Sequence, residues 1–125
     1  MLTKSIDTKT IFKHSILISI FFLFNSLLAQ NTYSTTEVID HIGEYAYVKG
    51  KVHQVHISKK GHIFLNMDGK YPNQPFTAVI FQPDAYKFNY IKSLEGKTII
   101  VKGIIKLYKN KPEILLNNPN QLSIE

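Results

Sequence analysis

Residues 103–122, GIIKLYKNKPEILLNNPNQL, govern how the rest of the chain reads. Ile105 and Leu107 alternate with Lys106 and Tyr108, the period of a strand that buries one face. Lys109-Asn110-Lys111 supplies a tight basic turn, and Pro112-Glu113-Ile114-Leu115-Leu116 runs back. Pro112 has no N–H to offer a ladder, so it belongs at a strand's first residue or on an edge. It therefore marks the beginning of the returning strand, expected over residues 113–116.

Working back from this hairpin, the β-branched run after Leu94-Glu95-Gly96 makes residues 97–108 one long strand. A further long strand is expected over 45–57. Ala46, Val48, Gly50 and Val52 share one parity, whereas Val55 and Ile57 fall on the other, and such a change of phase marks a bulge near His53-Gln54. Ser58-Lys59-Lys60-Gly61 is a turn leading into a strand over 62–67. A loop with Pro72 and Pro75 precedes a third strand over 76–81. Gln82-Pro83-Asp84 resembles a helix start, with Ala85, Phe88, Ile91 and Leu94 as its buried stripe. Ser34-Thr35-Thr36-Glu37 has capping-box spacing, so Val38, Ile39 and Ile42 are expected on a short opening helix after a polar lead at 30–33.

The order is thus strand, strand, strand, helix, strand, strand, with a phase slip in the first strand. The segments GKVHQV, GHIFLNMDGKYPNQPFTAVIF, LEGKTIIVKGII and YKNKPEILLNNPNQL resemble a family of small bacterial nucleic-acid-binding domains of the oligonucleotide/oligosaccharide-binding (OB) fold. Several of that family are exported, and related domains occur beside secreted nucleases. The resemblance spans residues 36–125 and implies an all-β, five-stranded Greek-key barrel with short helices. Closure would remove the edges that so short a chain otherwise exposes. The shared motifs are bends, strand starts and exits, which specify a fold better than a ligand.

At the other end, Lys4, Lys9 and Lys13 precede an apolar run from Ile16 to Leu28, broken by Ser19, Asn25 and Ser26. The run falls short of the ~20 apolar residues of a spanning helix. Leu27-Leu28-Ala29-Gln30 puts a small residue at a cleavage point, so residues 1–29 read as an export signal and 30–125 as one domain, periplasmic or extracellular; the alternative for the run is an uncleaved anchor or a buried helix. There is no cysteine, which rules out disulfides and lipid attachment through a thiol. Without residues 1–29, 12 Lys face 8 acidic residues, a net charge of about +4.

Single-strand binding needs cations along a groove and aromatic faces on which bases stack. The two loops that flank an OB groove would carry Lys59 and Lys60, and Lys109 and Lys111. Lys102, Lys106 and Tyr108 share one strand parity, and His62, Phe64 and Asn66 share another. Lys59, Lys60, His62, Phe64, Lys102, Lys106, Tyr108, Lys109 and Lys111 are therefore the candidate nucleic-acid contacts, with Phe64 the stacking platform. The plainer alternatives are that the lysines are only solvated and that Phe64 packs under the Tyr71-Pro72 loop.

The chain contains no Arg, so bidentate reading of guanine's major-groove edge is absent and binding should depend weakly on sequence. His53, His56 and His62 lack a carboxylate or thiol at ligand spacing, so no metal or other cofactor is expected. Asp68, Asp84, Glu95, Glu113 and Glu44 are scattered over turns and caps, without the clustering that metal-assisted phosphoryl chemistry requires. The expectation is a non-enzymatic exported binder of single-stranded nucleic acid, DNA foremost. The alternative is an envelope module for a glycan, small ligand or protein partner.

Overall fold

A computed structural model of the protein describes residues 31–125. The expected export signal over 1–29 and its cleavage point lie outside the described residues. Eight strands form one sheet: β1 (Thr32–Ser34), β2 (Tyr45–Ile57), β3 (Ile63–Met67), β4 (Phe76–Ile80), β5 (Thr98–Ile104), β6 (Lys106–Tyr108), β7 (Lys111–Leu115) and β8 (Leu122–Ile124). Their order is β6-β7-β4-β3-β2-β5-β8, with β1 beside β2. The β4/β7 and β1/β2 pairs are parallel and the others antiparallel.

β2 organises the sheet by changing partners along its length. Tyr45 to Lys51 pair with β5, and Val52 to Ile57 pair with β3. The register jumps between Val52 and Gln54, so His53 is the extra residue and the phase slip is a bulge. Just before it, Gly50 lies where a Cβ would come within 2.7 Å of both Asp68 Oδ2 and Thr35 Cγ2. Only glycine allows the strand to coil that closely over its neighbours.

The inward-facing residues build one core. Val48 and Val52 of β2, Leu65 and Met67 of β3, Phe76 and Ile80 of β4, Ile99 and Val101 of β5 and Ile114 of β7 are all closed to solvent. Phe88, Ile91 and Leu94 fill the end of this core. The stripe is buried as its spacing implies, but the continuous helix is not there. One helical turn (Gln82–Ala85) and a 3₁₀ turn (Ile91–Leu94) replace it. Aromatic and Asn residues at 86–90 have poor helix propensity, and burying three side chains does not require the intervening backbone to be helical.

Other expectations need correction. The opening helix is a 3₁₀ turn, Val38–His41, with Glu37 at its N-cap; Ser34 instead closes β1. The polar lead therefore contains a strand. Residues 97–108 are two strands. Ile105 donates its N–H to Glu44 O (2.9 Å) and accepts from Gly43 N (2.7 Å), which peels the chain away from β2 and delivers it to β7 as β6. The returning strand begins at Lys111, with Pro112 second.

Eight strands thus stand where five are expected. Among the described residues no backbone ladder joins β5 to β7. Gln121 spans the gap instead, its Nε2 donating to Lys102 O (3.0 Å) and Leu115 O (3.1 Å).

Candidate functional site

Outward-facing positions on β2, β3, β4, β7 and β6 fall into register across the sheet. Gln54, Asn66, Thr77, Glu113 and Lys106 form one row through successive strand pairs. His56, Phe64, Val79 and Leu115 form the next. Tyr108 and Lys111 stand opposite one another beside the β6/β7 turn. This face is the floor of a groove of about 390 Å³, within the usual range of small-ligand sites, roughly 300–1,000 Å³.

The loop between β3 and β4 forms one wall, contributing Tyr71, Pro72 and Gln74. Asp68 anchors that loop in a left-handed conformation (φ 57°). Its carboxylate accepts from Lys51 N (2.9 Å) and Thr35 Oγ1 (2.6 Å). The β6/β7 hairpin forms the other wall, turning through Lys109 (φ 47°) and Asn110 (φ 65°). Two successive positive φ values are what a two-residue hairpin turn requires, and Asn tolerates them well. The walls are joined by Lys111, whose ammonium donates to Pro72 O and to Gln74 O (3.0 Å for the latter).

The floor is polar beneath aromatic walls. Asn66 Nδ2 donates to Gln54 Oε1 (2.9 Å), and that oxygen also accepts from Tyr71 N (3.1 Å). Thr77 Oγ1 donates to Asn66 Oδ1 (3.1 Å) and accepts from Gln74 Nε2 (3.1 Å). This chain of amides satisfies Asn66 and Thr77, which are buried although they face outward. Two acceptors are left over. Gln74 is buried, and its Oε1 has no donor. Glu113 is half-buried, and no hydrogen bond or ion pair reaches its carboxylate among the described residues. Desolvation pushes the Glu113 carboxyl above the usual carboxylate range, opposed by the charge of Lys106 across the strand pair.

The candidate contacts divide by position. Phe64, Tyr108, Lys109 and Lys111 line the groove, and Lys106 flanks its floor beside Glu113. Phe64 is half-buried with the His56 ring 6.0 Å away, and shares the groove with Tyr71 and Pro72. Lys109 Nζ lies 5.5 Å from the centre of the Tyr108 ring. Lys59 and Lys60 are exposed on the β2/β3 turn, which the five residues of β3, roughly 13 Å from first to last, separate from the loop that carries the 71–74 wall. His62 is engaged structurally: its Nδ1 accepts from Gln82 N (3.0 Å), and its ring meets Phe81 edge-on. Lys102 lies on β5, away from the groove, with its ammonium 5.8 Å from the Tyr47 ring centre.

The three histidines make separate contacts, His53 with Lys51 O, His56 with the Phe64 ring, and His62 with Gln82 N and the Phe81 ring. No group of three His, Asp or Glu among the described residues is placed to hold an ion. The groove's remaining residues, His56, Asn66, Tyr71, Pro72, Gln74, Thr77 and Glu113, were not singled out as contacts by sequence. Strand alternation does put Asn66 beside Phe64, but β4 reads apolar on both faces and hides Thr77. A loop has no period from which to find Tyr71 or Gln74.

No protein-family model matches the sequence, and no curated protein matches it. Solved structures share its fold. An OBody bound to hen egg-white lysozyme superposes with a TM-score of 0.57 at 15% identity, covering 78% of this chain and 95% of the OBody. A second OBody bound to the same lysozyme gives 0.53 at 15% identity, over 72% and 96%. The aspartyl-tRNA synthetase of Entamoeba histolytica gives 0.52 at 11% identity, with 76% of this chain matching only 21% of the synthetase. The molecule is mostly β, with short helical turns, and OB-like in arrangement.

Proposed function

We propose that residues 31–125 are a non-catalytic binding module for single-stranded nucleic acid, DNA foremost, in a protein exported after loss of its first 29 residues. The observation that carries this reading is the groove itself. Phe64, Tyr71 and Tyr108 offer ring faces around it, with Lys106 and Lys109 beside them and Lys111 between its walls. Bases stack on such rings whatever their sequence, and rim ammonium groups take up backbone phosphates. The groove is cut into the outer face of an OB-like sheet, where single strands are bound in that fold. Occurrence of this fold within a tRNA synthetase is compatible with a nucleic-acid ligand. Export rests on the Lys-rich start, the apolar run and Ala29-Gln30.

Titration of the purified protein with a fluorescent 12-nucleotide oligothymidylate at two salt concentrations tests the reading. With three or four lysines engaged, the slope of log affinity against log salt should be about −2 to −3. Absence of binding, or an affinity indifferent to salt, assigns the groove to a glycan, small ligand or protein partner instead. For export, mass spectrometry of the native protein should find an N-terminus at or near Gln30, and an intact Met1 would overturn it.

A further inference from the structure

We infer that the groove contains one base-reading position selective for guanine, with Glu113 accepting hydrogen bonds from the guanine N1–H and N2 amino group. This rests on the nucleic-acid reading above and adds specificity to it. Among the described residues, two acceptors without donors occur in one groove. Glu113, half-buried, lines it, as does Gln74, whose Oε1 is buried. Leaving polar acceptors desolvated and unpaired is costly, so a ligand that brings donors to this place gains more than one that brings acceptors.

Part of the floor's hydrogen-bonding capacity is used internally. Asn66 donates to Gln54 Oε1 and accepts from Thr77, and Lys111 is held by two backbone carbonyls. Among the described residues, Glu113 and the buried Gln74 Oε1 are acceptors of the groove still without a donor. Among unpaired bases, guanine alone presents two adjacent donors, N1–H and the N2 amino group. Adenine and cytosine place one amino group beside a ring acceptor, and thymine places one N–H between two carbonyls. The absence of Arg removes reading of guanine's O6/N7 edge. It leaves untouched the opposite edge, which is free in a single strand.

Glu113 is already open to the groove and makes the first contact. Gln74 Oε1 is closed to solvent in the free protein, so a side-chain movement brings it to the remaining hydrogen of the N2 amino group. An Arg side chain of a basic peptide would also supply paired donors on a flat group. Lys106 and Lys109 beside the groove oppose it electrostatically, and the same charges favour a polyanion.

The test uses the full chain and 12-nucleotide oligothymidylates carrying one central guanine, inosine or adenine, read by fluorescence anisotropy. The guanine oligonucleotide should bind about tenfold tighter than all-thymine, and inosine, which lacks the N2 amino group, should lose most of that gain. Glu113→Gln should bring the guanine preference within twofold while all-thymine binding tightens, because a negative charge beside a polyanion has been removed. A merely structural loss would weaken both. Equal, salt-dependent affinity for all four oligonucleotides would overturn the guanine site and leave the nucleic-acid reading standing. No binding of any oligonucleotide would overturn both. Stronger displacement of a bound oligonucleotide by arginine amide than by guanosine monophosphate would assign the position to a basic peptide and overturn it as well.

Discussion

Glu113 and Lys111 sit two residues apart on β7 and illustrate opposite uses of charge. The Glu113 carboxyl is raised by burial, so the folded protein holds its proton to higher pH than the unfolded chain does. The folded state therefore binds more protons between the two values, and stability declines as pH rises through that window. Glu113→Gln should remove this decline, leaving the variant relatively more stable at neutral pH than at pH 4. Urea denaturation across that range would show it, and an unchanged pH dependence would refute the account. Lys111 is stabilising in contrast, because its ammonium ties the 71–74 wall to the β6/β7 hairpin. Lys111→Met should cost about 1.5–3 kcal/mol, the scale of charged hydrogen bonds, whereas exposed Lys109→Met should cost little stability. Phe64→Ala should lower oligonucleotide affinity by roughly 1–3 kcal/mol if a base stacks on the ring.

At the level of strands and turns, the junction between β5 and β7 is the most instructive. Gln121 donates across it to Lys102 O and Leu115 O, while its Oε1 accepts from Asn117 N (2.8 Å) and Asn118 N (3.0 Å). One side chain thus serves four backbone groups where a ladder is missing. Its Nε2 lies 3.3 Å from where a Gly103 Cβ would be, and Ile114 Cγ2 lies 2.7 Å from the same point. Gln121→Ala should destabilise the protein by about 2–4 kcal/mol, since each lost bond contributes about 1 kcal/mol. Chemical denaturation with the same m-value but a lower midpoint is the expected signature; a change below 0.5 kcal/mol, taken as roughly the noise of surface substitutions, would make the bridge incidental. The asparagines and Pro119 that read only as an exit from the last strand are the frame for this glutamine. Asn118 caps the 3₁₀ turn that carries it, accepting from Asn120 N at 2.9 Å.

Across the molecule, the lysines expected to act together are dispersed, with Lys102 on β5 away from the groove and the others at two separate places. Lys109 and Lys106 flank the groove, and Lys59 and Lys60 stand beyond the far end of β3. A strand long enough to reach both should feel both. Reversing charge at Lys59 and Lys60 should weaken a 12-nucleotide ligand several-fold and leave a 4-nucleotide one nearly unaffected, within the ~4–16 nucleotides that a single OB fold covers. Reversing Lys109 should weaken both lengths. Equal sensitivity of the short ligand to Lys59 and Lys60 would mean that the strand does not lie along the groove.

The chain's alternation, turn chemistry and one phase slip were enough to locate β2 to its end residues, the bulge at His53, the buried stripe of Phe88, Ile91 and Leu94, and Phe64 on the outer face. These are local properties: a period-2 pattern, a Gly or a Pro carries its meaning within a few neighbours. The short pairings at β1 and β8, the break at Ile105 and the bridge by Gln121 were not legible, because each depends on partners distant in sequence. Glu44 is 61 residues from the N–H it receives, and Leu115 is separated from Val79, its β4 partner, by 36. The same holds for the groove. Its rings and lysines are visible as residue types, but the row that puts Gln54, Asn66, Thr77 and Glu113 side by side exists only once four strands are in register. Whether an acceptor is left without a donor is a property of that assembled neighbourhood, and no single stretch of sequence contains it.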